Sequence, residues 1–102
     1  MGSARRPTPA RLAEKLLQVR LRLGLSQSQM LRSLGDTGTK LHAPHISRYE
    51  SGDREPPLVV LLQYARAAGV PVELLIDDEL DLPERLPSRK RWTMKGGWVS
   101  QG

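Results

Sequence analysis

The sequence predicts an all-α protein, with a compact five-helix domain followed by an irregular C-terminal tail, and three observations support this fold class. The 102 residues are few enough for a single domain. The apolar residues are mainly aliphatic, with 17 leucines, no phenylalanine, two Trp and two Tyr, so good helix formers supply the core. Apolar residues recur at helical spacing, and no segment shows the period of two typical of a strand. An all-β sandwich is therefore excluded.

The first helix is predicted over residues 9–23. We expect Thr8 to cap it, Pro9 to occupy the first helical position, where a missing N–H costs nothing, and Gly24 to end it. Lys15 and other polar residues fall outside the apolar stripe. The stripe consists of Leu12, Leu16, Val19 and Leu23.

The second and third helices are predicted from their caps. Ser26 to Gln29 has the form of a capping box, in which the serine accepts the Gln29 N–H and Gln29 reaches back, and Gly35 ends the second helix. Residues 36–40 have turn chemistry, and Pro44 cannot lie inside a helix. The third helix therefore begins near residues 42–43 and ends at Gly52. Only Ile46 and Tyr49 form an apolar edge, so this helix lies at the surface or reads a ligand with its polar face.

A fourth helix is predicted from about Leu58 to Ala68, and Gly69 ends it. A brief fifth helix follows Val70-Pro71. The side chains expected to face inward are Leu58, Leu61, Leu62 and Ala65 on the fourth helix, and Val72, Leu75 and Ile76 on the fifth.

Several motifs occur in the order typical of one family. They are Leu-Gly-Leu-Ser-Gln at 23–27, Ile-Ser-Arg-Tyr-Glu-Ser-Gly at 46–52, Pro56, and Gly-Val-Pro at 69–71. Over about residues 9–76 the chain resembles the lambda-repressor/Cro-like helix-turn-helix family, in its xenobiotic-response-element type of transcriptional regulator. This resemblance implies that the third helix enters the major groove of DNA and that the second helix braces it.

The candidate DNA-binding residues follow from that orientation and are Gln27, Lys40, His42, Ala43, His45, Ser47, Arg48 and Arg54. Arg48 is the strongest candidate, because a guanidinium can donate two hydrogen bonds to guanine; its alternative is a phosphate contact or a solvated side chain. The resemblance makes Gln27 a phosphate contact, against the alternative of a simple capping residue. Lys40 and Arg54 each either contact a phosphate or remain in solvent.

One feature departs from the family. Residues 35–41 form a longer connection than the usual turn of about 3–4 residues, by about five residues. This insertion affects how the third helix is oriented toward the groove. The resemblance also implies an ion pair between Arg20 and Glu50 that fixes this orientation; the alternative is two independent surface charges.

Charge and composition limit the other functions. The net charge is +5, and the segments carry +5 over residues 1–25, zero over 26–76, −4 over 77–87 and +4 over 88–102, which is compatible with binding a polyanion. There is no cysteine, and no third ligand accompanies His42 and His45, so we expect neither a metal nor another cofactor. No nucleophile motif or phosphate-binding glycine loop is present, so we expect no enzyme activity. No apolar run is long enough to span a membrane, and residues 1–9 do not have the pattern of a secretion signal.

We therefore divide the chain into a basic N-terminal arm (1–8), a helix-turn-helix domain (9–76) and a tail (77–102). The expected function is sequence-specific regulation of transcription in the cytoplasm, as a repressor that binds double-stranded DNA as a homodimer. The alternative is an antitoxin or another interaction module whose tail binds a protein. Leu80, Leu82, Leu86, Trp92 and Trp98 either pack on a partner or belong to a disordered tail, and the Arg-Lys-Arg-Trp segment (89–92) either contacts DNA or an acidic segment.

Overall fold

The computed structural model describes residues 8–87 in full and the backbone of two short strands. The N-terminal arm before Thr8, Arg89, and the side chains of Trp92 and Trp98 lie outside the described residues. The elements are α1 (Leu12–Leu23), α2 (Gln27–Leu34), α3 (Ala43–Ser51), α4 (Leu58–Ala68), α5 (Glu73–Ile76), β1 (Lys90–Thr93) and β2 (Gly97–Ser100). The prediction of five helices is confirmed.

A single aliphatic core holds the helices together. α1 contacts α3, α4 and α5, and α2 contacts α3 and α4. Leu16, Met30, Ile46, Val60 and Leu75 are fully buried and represent the five helices in this core. Burying each such side chain contributes about 1.5–3 kcal/mol, so the core is the main source of stability.

α2 begins as its sequence predicts. The Ser26 hydroxyl accepts the backbone N–H of Gln29 at 3.1 Å, and the Gln29 side chain accepts the backbone N–H of Ser26 at 2.8 Å. Both bonds satisfy donors that a helix N-terminus otherwise leaves without partners. The capping box therefore fixes the start of α2 locally.

The predicted start of α1 is wrong by three residues. Thr8 does not cap the helix, whose N-cap position is Arg11; its hydroxyl donates to Glu55 at 3.3 Å. The backbone N–H groups of Ala10 and Arg11 instead donate to the carboxylate of Asp78, at 2.9 and 3.0 Å. A carboxylate from a distant part of the chain thus takes the place of a local cap, since any acceptor at this end satisfies the free N–H groups.

Residues 77–83, which we call the strap, lie across α1. The Arg11 guanidinium donates to Asp81 at 2.6 Å, and Arg22 donates to the Pro83 carbonyl at 2.7 Å. The backbone bonds from Arg11 and Ala10 lower the pKa of Asp78, because they favour its ionised form. Asp78 and Asp81 therefore pair with the residues that lead into α1 of the same chain.

The assignment of Lys15 to the polar side of α1 is also wrong. Lys15 has no solvent exposure, and its Nζ donates to the carbonyls of Leu74, Asp77 and Leu80 at 2.8, 2.8 and 2.7 Å. Burial lowers the pKa of this ammonium. The three carbonyls replace the water that the charge loses, which allows a lysine to lie on the buried stripe.

Three aliphatic side chains that we expected inside are exposed. On α4, Leu58 is 77% exposed and Leu62 is 39% exposed, whereas Val60 and Tyr64 are buried. On α5, Ile76 is 41% exposed and Leu75 is buried. α4 is apolar on nearly every side, so its sequence does not show which face meets the core.

The tail is not irregular throughout. β1 and β2 pair antiparallel, with Trp92 opposite Trp98 in the register, and the sequence analysis did not predict these strands. Earlier in the tail, Leu82 is buried in the core of its own chain and Leu86 packs against that core, whereas Leu80 is 38% exposed. Leu82 is therefore not available for packing on a partner subunit.

Candidate nucleic-acid interface

α3 is held at the surface by one apolar edge. Ile46 and Tyr49 are buried, while Pro44, Ser47 and Arg48 are exposed. Because successive helical residues are about 100° apart, these three exposed side chains share one face of α3. The helix thus presents an exposed ridge to solvent and packs against α1 and α2 on its other side.

A buried ion pair fixes the orientation of α3 relative to α1. The Arg20 guanidinium donates to both carboxylate oxygens of Glu50, at 2.6 and 3.0 Å, and to the Leu25 carbonyl at 3.0 Å. The side chains of Arg20 and Glu50 are only 15% and 6% exposed. The hydrogen bond to Glu50 raises the pKa of Arg20, against the opposing effect of burial. Two parallel bonds in one plane allow little rotation of α3.

Gln27 joins the same network at the start of α2. Its side-chain amide donates to Glu50 at 3.2 Å, and the residue is half-buried. The Tyr64 hydroxyl is also buried close to the pair, where desolvation raises its pKa, and it has no hydrogen-bond partner within the described part of the chain. One amide N–H of Gln27 is thus committed to Glu50, and the rest of the side chain lies beside the N-terminus of α2.

The exposed ridge of α3 contains the candidates for base contacts. Ser47 and Arg48 are exposed in the middle of the ridge, and Ala43 is half-buried in the first turn. Arg48 has no ion-pair partner in residues 8–87. Its guanidinium is therefore available to an external acceptor.

The two histidines at the start of α3 interact with each other. Their rings stack with centroids 5.9 Å apart, and Nδ1 of His45 accepts the backbone N–H of His42 at 2.9 Å. The same nitrogen lies 3.3 Å from the His42 carbonyl, and in the tautomer that accepts the His42 N–H the ring carries its own N–H at Nε2. His42 is exposed and His45 is half-buried; His45 therefore caps the helix with one nitrogen and offers the other as a donor.

The inserted connection between α2 and α3 is an ordered turn. The Asp36 carboxylate accepts the Gly38 N–H at 2.9 Å, and the Thr37 hydroxyl donates to the Thr39 carbonyl at 2.9 Å. Gln63 on α4 donates to the Asp36 carbonyl at 3.1 Å. Sequence reasoning missed Gln63, because a bond to a distant backbone carbonyl leaves no pattern in the sequence. The turn holds Lys40 exposed just before α3.

Arg54 lies beside the C-terminus of α3. Its backbone N–H donates to the Arg48 carbonyl at 3.3 Å, and its charge opposes the rise in the pKa of Tyr49 that burial causes. Arg54 is exposed. The structure therefore brings Arg54 near the α3 side chains, although Gly52 and Asp53 separate it from the end of the helix.

Other kinds of site lack support in the described residues. Within them, no three His, Cys, Asp or Glu side chains are grouped so that they could hold a metal ion. None of their helices has the length and apolar character needed to cross a membrane.

A comparison with known protein families identifies the family of this chain. A helix-turn-helix family model matches residues 16–75, which include α2, α3 and the inserted turn between them. The chain belongs to the lambda-repressor/Cro-like helix-turn-helix family. The comparisons with curated proteins and with solved structures found no match.

Membership in this family makes the chain a DNA-binding regulator of transcription. In a helix-turn-helix protein the second helix of the motif lies in the major groove, and here that helix is α3. The exposed ridge and its free guanidinium thus lie on the helix that the family uses for reading DNA.

Proposed function

We propose that this helix-turn-helix protein is a repressor of the xenobiotic-response-element type, which acts in the cytoplasm by occupying an operator as a homodimer. The observation that carries the proposal is the exposed Arg48 at the centre of an α3 held by the Arg20–Glu50 pair. A bidentate arginine discriminates between bases by about 1–3 kcal/mol, provided that its helix is held in one orientation.

The remaining candidates complete this surface. Ser47 and Ala43 lie within reach of base edges, with the Ala43 methyl group suited to a thymine methyl. His42 at the start of α3 and Gln27 at the start of α2 contact phosphates or the edges of the groove. A dimer places two copies of α3 about 34–36 Å apart, which corresponds to half-sites one helical turn apart.

The alternative of an antitoxin or another interaction module requires a tail that is free to bind a protein. The contacts of Arg11, Lys15 and Arg22 with the strap favour the repressor, because they use residues 77–83 within the chain itself. On this alternative, a protein partner would bind the part of the tail that follows the strap.

The test is the selection of a duplex from a randomised DNA library by the full chain, followed by binding measurements on the selected duplex and on a scrambled duplex of equal composition. We expect Arg48→Ala to lower the ratio of the two affinities by about 5- to 150-fold, which corresponds to one bidentate contact. Arg66→Ala, which removes an equal charge from the exposed side of α4, serves as the control and should keep the ratio.

Failure to select any sequence would reject the proposal of a sequence-specific repressor. An unchanged ratio for Arg48→Ala would remove this residue from the set that reads bases. Band shifts or sedimentation of the complex give the stoichiometry, and one chain per selected duplex would reject the homodimer.

A further inference from the structure

The inserted turn, α3 and the following loop enclose an open cleft of about 230 Å³. Lys40 comes from the turn, His45 from α3 and Arg54 from the loop, and all three line this cleft together with Tyr49, Glu55 and Pro57. These three candidates, which come from separate parts of the sequence, thus lie around one space.

The charge of the cleft favours an anion. Lys40 and Arg54 supply two full positive charges, and Glu55 supplies one negative charge. The Glu55 carboxylate already accepts a hydrogen bond from Thr8 at 3.3 Å. Arg54 and Lys40 are exposed, so their charged groups keep their freedom to turn toward a ligand.

His45 adds a ring nitrogen to the two charges. In the tautomer whose Nδ1 accepts the His42 N–H, the ring N–H is at Nε2 and can donate to a ligand. Two cations and a ring N–H are together suited to the non-bridging oxygens of a phosphate, which accept several hydrogen bonds at once.

The position of the cleft indicates which phosphate it meets. On a helical projection with about 100° per residue, His45 lies about 110° to one side of the centre of the exposed ridge (Pro44, Ser47 and Arg48), and Glu50 lies about 110° to the other side. A helix in the major groove has a phosphate backbone on each side. Gln27 bonds to Glu50 and so lies toward one backbone, whereas the cleft lies toward the other.

We infer that the inserted turn creates a phosphate-binding site, in which Lys40, His45 and Arg54 together hold one backbone phosphate of the operator beside α3. This inference rests on the proposed DNA-binding function and gives His45 a role in holding the phosphate backbone, in place of base reading. It also gives the insertion a purpose, since the turn adds Lys40 to a surface that α3 and its following loop only partly build.

The test uses the full chain, the selected duplex and its scrambled counterpart, with affinities measured by fluorescence anisotropy between about 50 and 200 mM salt. The double variant Lys40→Ala/Arg54→Ala removes the two charges of the cleft. The double variant Arg66→Ala/Arg85→Ala is the matched control, since it removes two exposed charges that do not line the cleft. Both changes lie on exposed side chains, so folding is preserved.

For one shared phosphate, the slope of log affinity against log salt becomes shallower by about 0.9 in the cleft variant and stays unchanged in the control. Affinity falls by the same factor for both duplexes, because a phosphate contact carries no sequence information. His45→Gln keeps an acceptor for the His42 N–H and removes the ring donor, so it weakens both duplexes equally and leaves their ratio unchanged.

Replacing single phosphates of the selected duplex by uncharged methylphosphonates locates the contact. We expect one position in the duplex at which this replacement lowers the affinity of wild type but does not lower the affinity of the cleft variant any further. A change of about 1.8 in slope would indicate two separate phosphates and would overturn the shared site. An unchanged slope, or the absence of such a position in the duplex, would also overturn it. If only the phosphate site is wrong, wild type still prefers the selected duplex to the scrambled one. If the proposed function is wrong, wild type shows no such preference.

Discussion

Lys15→Met tests the connection between α1 and the strap. Methionine has nearly the length of lysine and fills the same buried space, but it cannot donate to the carbonyls of Leu74, Asp77 and Leu80. The Asp77 carbonyl keeps the Leu80 N–H at 3.0 Å, and the Leu80 carbonyl keeps Arg11 at 3.4 Å. The hydrogen bonds of the described residues give the Leu74 carbonyl no second donor of this kind, so in the variant it loses its partner.

The magnitude follows from these partners. A hydrogen bond to a charged donor contributes about 1.5–3 kcal/mol, and an unsatisfied buried carbonyl costs about 1–3 kcal/mol. Removing the desolvated ammonium offsets part of this loss. We therefore expect the free energy of unfolding to fall by about 2–3 kcal/mol, which is a large share of the roughly 5–15 kcal/mol of a small domain.

Urea unfolding followed by far-ultraviolet circular dichroism measures this change. The midpoint should fall with an unchanged slope, and Tm should fall by roughly 10–20 °C. Lys40→Met is the matched control, because Lys40 is exposed, and it should stay within about 0.5 kcal/mol of wild type. If Lys15→Met were as stable as this control, the three hydrogen bonds would not hold the strap to α1.

The other predictions concern the ends of α1 and α3. Asp78→Asn removes a carboxylate whose pKa is lowered in the folded state. In wild type, the stability that this carboxylate contributes should be fully present above the ordinary Asp pKa of about 3.8 and should be lost as pH falls through the lower folded pKa. The pH-dependent unfolding curve of the variant should lack this step. Glu50→Ala leaves the Arg20 guanidinium buried without its carboxylate and should lower the free energy of unfolding by about 3 kcal/mol. The double variant Arg20→Met/Glu50→Leu should have a free energy of unfolding within about 1 kcal/mol of wild type. It should nevertheless bind the selected duplex more weakly, because the pair orients α3. Equal affinity of this double variant and wild type would contradict the orienting role.

The features that sequence analysis predicted well depend on neighbouring residues. Ser26 and Gln29 are three residues apart. Pro44 lies in the first turn of α3 and Gly52 directly follows its last residue, so both ends of α3 are marked by residues of the same segment. Local patterns of this kind are visible in the sequence because both partners lie within one or two helical turns.

The features that it missed depend on partners far along the chain. The carboxylate that caps α1 is 67 residues from Arg11, and the carbonyls around Lys15 are 59–65 residues away. On α4, the exposure of Leu58 arises because nearly every side of this helix is apolar, so only tertiary packing decides its orientation. The cleft beside α3 was missed for the same reason, since its three donors lie in separate segments.

An NMR titration of the isotope-labelled full chain with the selected duplex tests the central claim, which is that α3 is the helix that reads DNA. The account predicts that amide shifts are largest over residues 42–48, with further shifts at Gln27, Lys40 and Arg54. Shifts concentrated on the exposed side of α4, at Leu58 and Leu62, with residues 42–48 unchanged, would contradict it.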